Sequence, residues 1–372
     1  MQRPRVKRVF PPIPIGGGKI RIGWYDFGIA AELDDDEQGH TWHLLQLLDG
    51  EHSREQIVLR MQDFDAQVRP EEVDAAIGQL AAGGFLEDAA VGPDPAVFSA
   101  PEAERYRRNF EFFSHFHFPP LTGYDFQARL KTARIAVVGM GGLGSYAALA
   151  LTAMGVGDLA VMDCDTVEAI NLNRQVLYTD ADVGRAKTDA AAERLSRINP
   201  HVRVTPHRAE IDGPDAARAA FHDRDLVICA ADRPRVRIYE WFNAASVAAN
   251  TPWMRGGNTG LTVSMFLHDP GRTPCFACVQ RSTHEELPWY AAASRYMTEE
   301  LATGTFNPCT APVAGLLGSM VALDVVKHLT GIAEPAALGR RLMVDLARMD
   351  VSYSEEKPRR ADCTVCGHLP GR

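Results

Sequence analysis

The sequence predicts an α/β fold, a doubly wound mixed sheet preceded by a small α+β module. Three observations carry that prediction. From Arg134 onward, short apolar segments of strand length alternate with helical patterns. A glycine-rich turn, Gly139-Met140-Gly141-Gly142-Leu143-Gly144, joins the first strand of that run to its first helix. Residues 1–95 have another rhythm, with two strand-like runs and then three short helices. The reading is a module over 1–95, a linker with an arginine-bearing helix over 96–133, and the large domain over 134–372.

The N-terminus, "MQRPRVKRVFPPIPIGGGK", is basic, lacks the apolar core of a secretory signal, and predicts a loose arm or short edge strand. "KIRIGWYDFGIAAEL" holds strand-like runs broken at "YDFG". "TWHLLQLLDG" predicts a short helix stopped by Gly50, and "SREQIVLRM" a second one capped by Ser53. "PEEVDAAIGQLAAGGFLED" predicts a third, with Pro70 in its first turn and Gly83-Gly84 at its end. That order is winged-helix-like. "PEAERYRRNFEFFSHF" alternates aromatics and arginines at helical spacing and predicts one amphipathic helix.

In the large domain, "RIAVVG", "DLAVMD", "RVTPHRAEI" and "DLVICAAD" read as strands. "SYAALALTAMG", "AKTDAAAERLSRINP" and "RPRVRIYEWFNAASVAAN" read as helices between them. "MRGGNTGLTVSMFLHD" and "AALGRRLMVDLARMDVSYSEE" predict antiparallel strands that extend the sheet, and "VAGLLGSMVALDVVKHLTG" a long helix closed by Gly331. No apolar run is expected to span a bilayer, which takes ~20 residues. Without a signal segment, the expected compartment is the cytoplasm, where seven cysteines need a reason other than disulfides. A net charge of −9 does not suggest nucleic acid as the main partner.

A glycine turn at a helix start lets backbone N–H groups approach a phosphate, and Gly139, Gly141, Gly142 and Gly144 form such a cradle. Asp163 ends the next strand, where an acid would hold ribose hydroxyls, with Asp165 beside it. A nicotinamide dehydrogenase satisfies everything so far. The following segment adds Asn171, Arg174 and Lys187. A nicotinamide site has little need of such cations, whereas a nucleoside triphosphate attacked at its α-phosphate does. Asp232, at the carboxyl edge of the sheet, suits a magnesium ion. The set describes adenylation better than hydride transfer.

"GMGGLGS", "DCDTVEAINLNRQVL", "VGRAK", "RINPH", "CAAD" and "GSMVALDVVKHLTG" resemble, in order and spacing, the ThiF/MoeB/HesA superfamily of ubiquitin-activating-like adenylating enzymes. The resemblance runs from about Arg105 to the C-terminus. It implies a Rossmann-like adenylation domain using ATP and Mg2+, with Asp163 on the ribose, Asn171, Arg174 and Lys187 on the triphosphate, and Asp232 on magnesium. It also implies a homodimer, in which Arg108 of "RYRRN" reaches the partner's ATP; Asn109 stands where the family has Gln.

Cys275-Phe276-Ala277-Cys278 and Cys363-Thr364-Val365-Cys366 are two CxxC pairs. Four thiolates so paired suit structural Zn2+, and a redox role is the rival for either pair alone. Cys164 and Cys229 lie in strand patterns and read as buried small side chains. Cys309 follows a crossover loop expected from Arg281 to Asn307, which contains no cysteine. A helix N-terminus would lower its pKa, while the alternative is a packed thiol. Chemistry that ends at an acyl adenylate fits best.

"LLQLLDGEHSREQIVLRM" through "GFLED" resembles the PqqD-like elements that bind leader peptides. DNA-binding winged helices share the pattern, but the third helix carries Glu71, Glu72 and Asp74 and no basic residue. A peptide would add as a strand beside that helix, with Val73, Ile77 and Leu80 as its wall. The whole layout resembles the microcin-type peptide-adenylating enzymes. The expected function is ATP-dependent adenylation of a carboxylate of a ribosomally made precursor peptide, with a possible further modifying enzyme as partner. The alternatives are activation of a ubiquitin-like sulfur carrier and a non-catalytic leader-binding partner of a cyclodehydratase.

Overall fold

A computed structural model describes residues 1–23, 30–116, 120–299 and 308–369. It forms two compact units, Met1–Ala128 and Arg129–Arg372.

The first unit opens with β1 (Pro4–Val6), β2 (Pro12–Gly16), β3 (Lys19–Ile22) and β4 (Ala31–Asp34). Helices α1 (His40–Leu47), α2 (Arg54–Phe64) and α3 (Pro70–Ala82) follow, and then β5 (Leu86–Asp88). Strands β2, β3 and β4 form an antiparallel sheet, while β1 pairs with β5, so the N-terminal arm is a strand. Period-two burial in β3 turns Ile20 and Ile22 inward onto Leu45, Ile57 and Leu86. Ser53 caps α2 by accepting the Gln56 N–H, and the Gln56 side chain returns the bond to the Ser53 N–H. The "YDFG" break lies outside the described residues.

The single helix expected from "PEAERYRRNFEFFSHF" is instead α4 (Ala100–Arg105) and α5 (Arg107–Ser114). Tyr106 leaves helical geometry between them and buries its ring at 2% exposure against Phe98. Helix α6 (Gly123–Thr132) follows.

The second unit winds β6 (Arg134–Val138), α7 (Gly142–Met154), β7 (Asp158–Met162), α8 (Lys187–Ile198), β8 (Arg203–His207), α9 (Pro214–Ala220), β9 (Leu226–Cys229) and α10 (Arg237–Ala249). Strands β10 (Trp253–Thr259) and β11 (Thr262–His268) form a hairpin. Helices α11 (Phe276–Glu286), α12 (Pro288–Glu299) and α13 (Ala311–Thr330) precede β12 (Leu342–Asp345) and β13 (Asp350–Tyr353). The sheet order is β13-β12-β11-β10-β9-β6-β7-β8, parallel from β10 to β8 and antiparallel from β10 to β13. The mixed, doubly wound sheet is as expected. The chain leaves β6 toward β7 and later returns to β9 on its other side, so the loop after β6 lies where the winding reverses, the usual ligand crevice of such sheets.

One expectation is corrected. The stretch expected to be a crossover loop from Arg281 carries α11 and α12, and only 300–307 of it lies outside the described residues. Helix α13 is long and apolar enough to pass for a membrane span. One face of it, including Leu317, Val321 and Val325, is buried in the unit's core, and Gly318 sits against Tyr146 and Leu143 of α7.

Candidate active site and cysteine cluster

The glycine turn is shaped by close approach of backbones. Gly139 has φ 93°, and a Cβ there would stand 2.6 Å from the Ala231 nitrogen. A Cβ on Gly144 would meet the Gly139 carbonyl oxygen at 1.8 Å. Gly141 differs, because its Cβ would meet nothing nearer than Gln175 at 3.8 Å. The fold itself does not require glycine at Gly141, and the open space over it leaves the backbone clear for a ligand. Gly142 opens α7.

Asp163 follows β7 and accepts the Met140 N–H at 2.6 Å and the Asp165 N–H at 2.8 Å, so it braces the turn. Tyr178 donates its hydroxyl to the Met140 carbonyl at 2.9 Å, a brace the sequence reading missed. Lys187 is the first residue of α8, 7% exposed in its side chain, and its Nζ lies 2.7 Å from Asp165. Asn171 is buried, and its side chain accepts the Glu168 N–H at 3.1 Å. Arg174 donates to the Ile170 carbonyl at 3.1 Å and to Asn173 at 2.8 Å, while Asn173 donates to the Cys309 carbonyl at 3.5 Å. Asp232, beyond β9, is exposed, and among the described residues it accepts no hydrogen bond. Gly139, Asp163 and Asp232 thus follow the carboxyl ends of three neighbouring parallel strands. Arg108 is on α5 in the first unit, 82% exposed in its side chain, and paired with Glu111.

Cys275, Cys278, Cys363 and Cys366 converge, with all four sulfurs within 4.8 Å of one another. The sulfurs of Cys275 and Cys363 are 3.7 Å apart, and those of Cys278 and Cys366 are 3.5 Å apart. A disulfide would need ~2.05 Å. Tetrahedral zinc with Zn–S bonds of ~2.3 Å needs sulfurs roughly 3.8 Å apart, so the donor set fits that ion. Burial raises the thiols of Cys275 and Cys278. Burial also opposes ionisation of Cys363, but N–H groups of Cys366 and Val365 and the neighbouring thiols outweigh it and bring the group down to about 7.

Cys229 is buried as expected, but Cys164 is exposed, because β7 ends before it. Cys309 precedes the Thr310 cap of α13, and burial raises its pKa despite nearby Arg174. N–H groups at the start of α13 pull the other way but weigh less than burial, which agrees with the packed-thiol alternative.

The model of the ThiF family matches residues 114–365. The chain belongs to the ThiF family. The Escherichia coli molybdopterin-synthase adenylyltransferase is 36% identical over 252 residues, covering 66% of this chain and 93% of that protein. The Escherichia coli sulfur carrier protein ThiS adenylyltransferase is 31% identical over 248 residues, covering 65% and 89%. Among solved structures, E. coli MccB with AMPCPP and MccA superposes with a TM-score of 0.76 at 21% identity, over 99% of this chain and 100% of that one. This ThiF-family chain is an adenylyltransferase that uses ATP.

Proposed function

We propose that this enzyme adenylates a carboxylate of a ribosomally made precursor peptide, captured by its leader in the first unit. The observation that carries this reading is a groove in that unit, about 590 Å³, between β4 and helices α1 to α3. Val73 and Leu80 line it and Ile77 does not, while all three are buried in the core of that unit. Strand β4 is an edge of the described sheet, free to pair with an extended peptide, as PqqD-like elements do. Asp34, Asp36, Asp65 and Glu72 surround an apolar floor that includes Leu44 and Val73. Such a rim disfavours phosphate backbones. MccB, whose solved structure includes MccA, has a similar fold along nearly its whole length.

At the sheet edge, Gly139, Gly141, Gly142, Gly144, Asn171, Arg174 and Lys187 would hold the triphosphate, Asp163 and Asp165 the ribose, and Asp232 the magnesium. Magnesium neutralises phosphate charge when bound. The peptide carboxylate, already ionised, needs no general base, so positioning and charge neutralisation supply the catalysis. Cys275, Cys278, Cys363 and Cys366 would hold a structural zinc that ties the C-terminal segment to α11. Arg108 would reach the ATP of a second subunit in a homodimer.

The named activities of the relatives favour a second reading, activation of a sulfur-carrier protein. ATP–pyrophosphate exchange decides between them. Exchange driven by short precursor peptides, and lost in Ala76→Trp, which fills the groove, supports the first reading. Exchange driven only by a carrier ending in Gly-Gly, and unaffected by Ala76→Trp, supports the second.

A further inference from the structure

Arg255 lies on β10 opposite Cys229, the last residue of β9, and so at the same carboxyl edge as Asp232. Its guanidinium is stacked 3.8 Å from the Tyr239 ring centroid and 5.4 Å from that of Phe276. It is partly buried, and among the described residues nothing accepts a hydrogen bond from it or pairs with its charge. The ring stack fixes the plane of the fork and leaves its N–H edges open, an arrangement that suits a planar two-oxygen anion. Gly257, two residues on and therefore on the same face, has open space where a Cβ would stand. The backbone at Gly257 is thus open to a ligand.

Across the sheet edge the order is Asp163 after β7, the glycine turn after β6, Asp232 after β9, and Arg255 on β10. Under the proposed function, the ribose and phosphate groups would fall on the first two strands and the metal acid on the third. The next position outward, on β10, is then left for the acyl partner. Burial raises the Tyr239 hydroxyl above its ordinary value, and the nearby Arg255 opposes that shift.

We propose that Arg255 is the acyl anchor, a site for the carboxylate that is to be adenylated. This rests on the adenylyl-transfer chemistry of the site and not on which molecule carries the carboxylate. One carboxylate oxygen attacks the α-phosphorus while the other stays on the guanidinium. The bond from the α-phosphorus to the bridging oxygen breaks, and pyrophosphate leaves with the electron pair. No proton moves.

The test compares two ligands of the full-length protein by calorimetry, AMP and N-glycylsulfamoyl adenosine, a stable mimic of an acyl adenylate. Arg255→Met should bind the acylated ligand about 10- to 100-fold more weakly than wild type, as expected for lost charge-assisted hydrogen bonds. Its affinity for AMP should be unchanged, which also reports that the site is folded. Arg255→Lys should recover part of the loss, since it keeps the charge without the fork. Equal losses for both ligands would move Arg255 to the nucleotide and overturn the proposal, as would no loss at all. Wild-type protein that binds AMP but gains nothing from the acyl group refutes the anchor and leaves adenylyl transfer standing. Wild type that binds neither ligand refutes both.

Discussion

Lys187 Nζ stands 2.7 Å from Asp165, with the lysine side chain 7% exposed and the aspartate 63% exposed. In the free protein the cation is therefore held beside a water-exposed acid at the opening of α8. A triphosphate brings more negative charge than one carboxylate and would compete for the same ammonium. Lys187→Met should lower ATP–pyrophosphate exchange by about 100-fold or more, the range seen when one oxyanion-stabilising group is lost. Asp165→Asn should cost less, because the lysine remains. Exchange assays at saturating ATP check both.

Asp232 tests a different property. It is exposed and accepts no hydrogen bond among the described residues, so Asp232→Asn should change stability by no more than about 0.5 kcal/mol. Exchange should nevertheless collapse, with a shifted requirement for magnesium. Retained exchange at ordinary magnesium would remove Asp232 from the site.

The sheet and the glycine turn were legible because their signals are local. An apolar strand, a glycine-rich bend and a helix appear in order in "RIAVVGMGGLGSYAALAL". The CxxC pairs were legible for the same reason, and their convergence from positions far apart in sequence is a matter of fold. Arg255 was not legible. A cation in "WMRGGN" says nothing of which strand lies beside it, and its role depends on pairing with β9 and on the ring of Tyr239 from α10. Cys164 was misread because a strand's last residue cannot be fixed from hydrophobicity alone. Tyr106 looked like one more helical aromatic, and burial of its ring, a tertiary effect, divides α4 from α5.

Metal analysis should find about one zinc per chain, held by Cys275, Cys278, Cys363 and Cys366. Cys363→Ser should reduce the zinc content and the melting temperature while leaving ATP affinity near wild type. A fully folded, metal-free protein with the same melting temperature would rule out a structural zinc.

Lys7 supplies a pH dependence. It is fully buried in the first unit, and burial lowers its pKa from 10.5 to about 8 despite the opposing pull of Glu87. Between these values the unfolded chain holds a proton that the folded unit has released, so stability rises with pH across that window. Below about pH 8 the full cost of burying the ammonium remains. Lys7→Met should therefore stabilise the unit by about 1 to 3 kcal/mol at pH 7, and the gain should shrink toward pH 10. Urea unfolding of both proteins at the two pH values measures it. A gain that does not change with pH would mean that lysine charge is not the cost.

Arg108 makes the strictest demand. Its guanidinium is 82% exposed and paired with Glu111, one turn along its own helix. Such a surface pair is worth little, about 0 to 1 kcal/mol, so the arginine can leave it at small cost. If it serves the ATP of a second subunit, the active unit is a two-fold dimer with each site sealed from the other chain. Arg108→Ala and Lys187→Ala homodimers should both be inactive. A mixed dimer should recover about half of wild-type exchange, since one site receives both intact groups and the other receives neither. An arginine acting within its own chain would give no rescue, because both sites of the mixed dimer would then be singly damaged. Exchange measured after mixing and re-equilibrating differently tagged subunits, with purification of the doubly tagged species, separates these cases. A fully active monomer at working concentration would remove Arg108 from the partner's site.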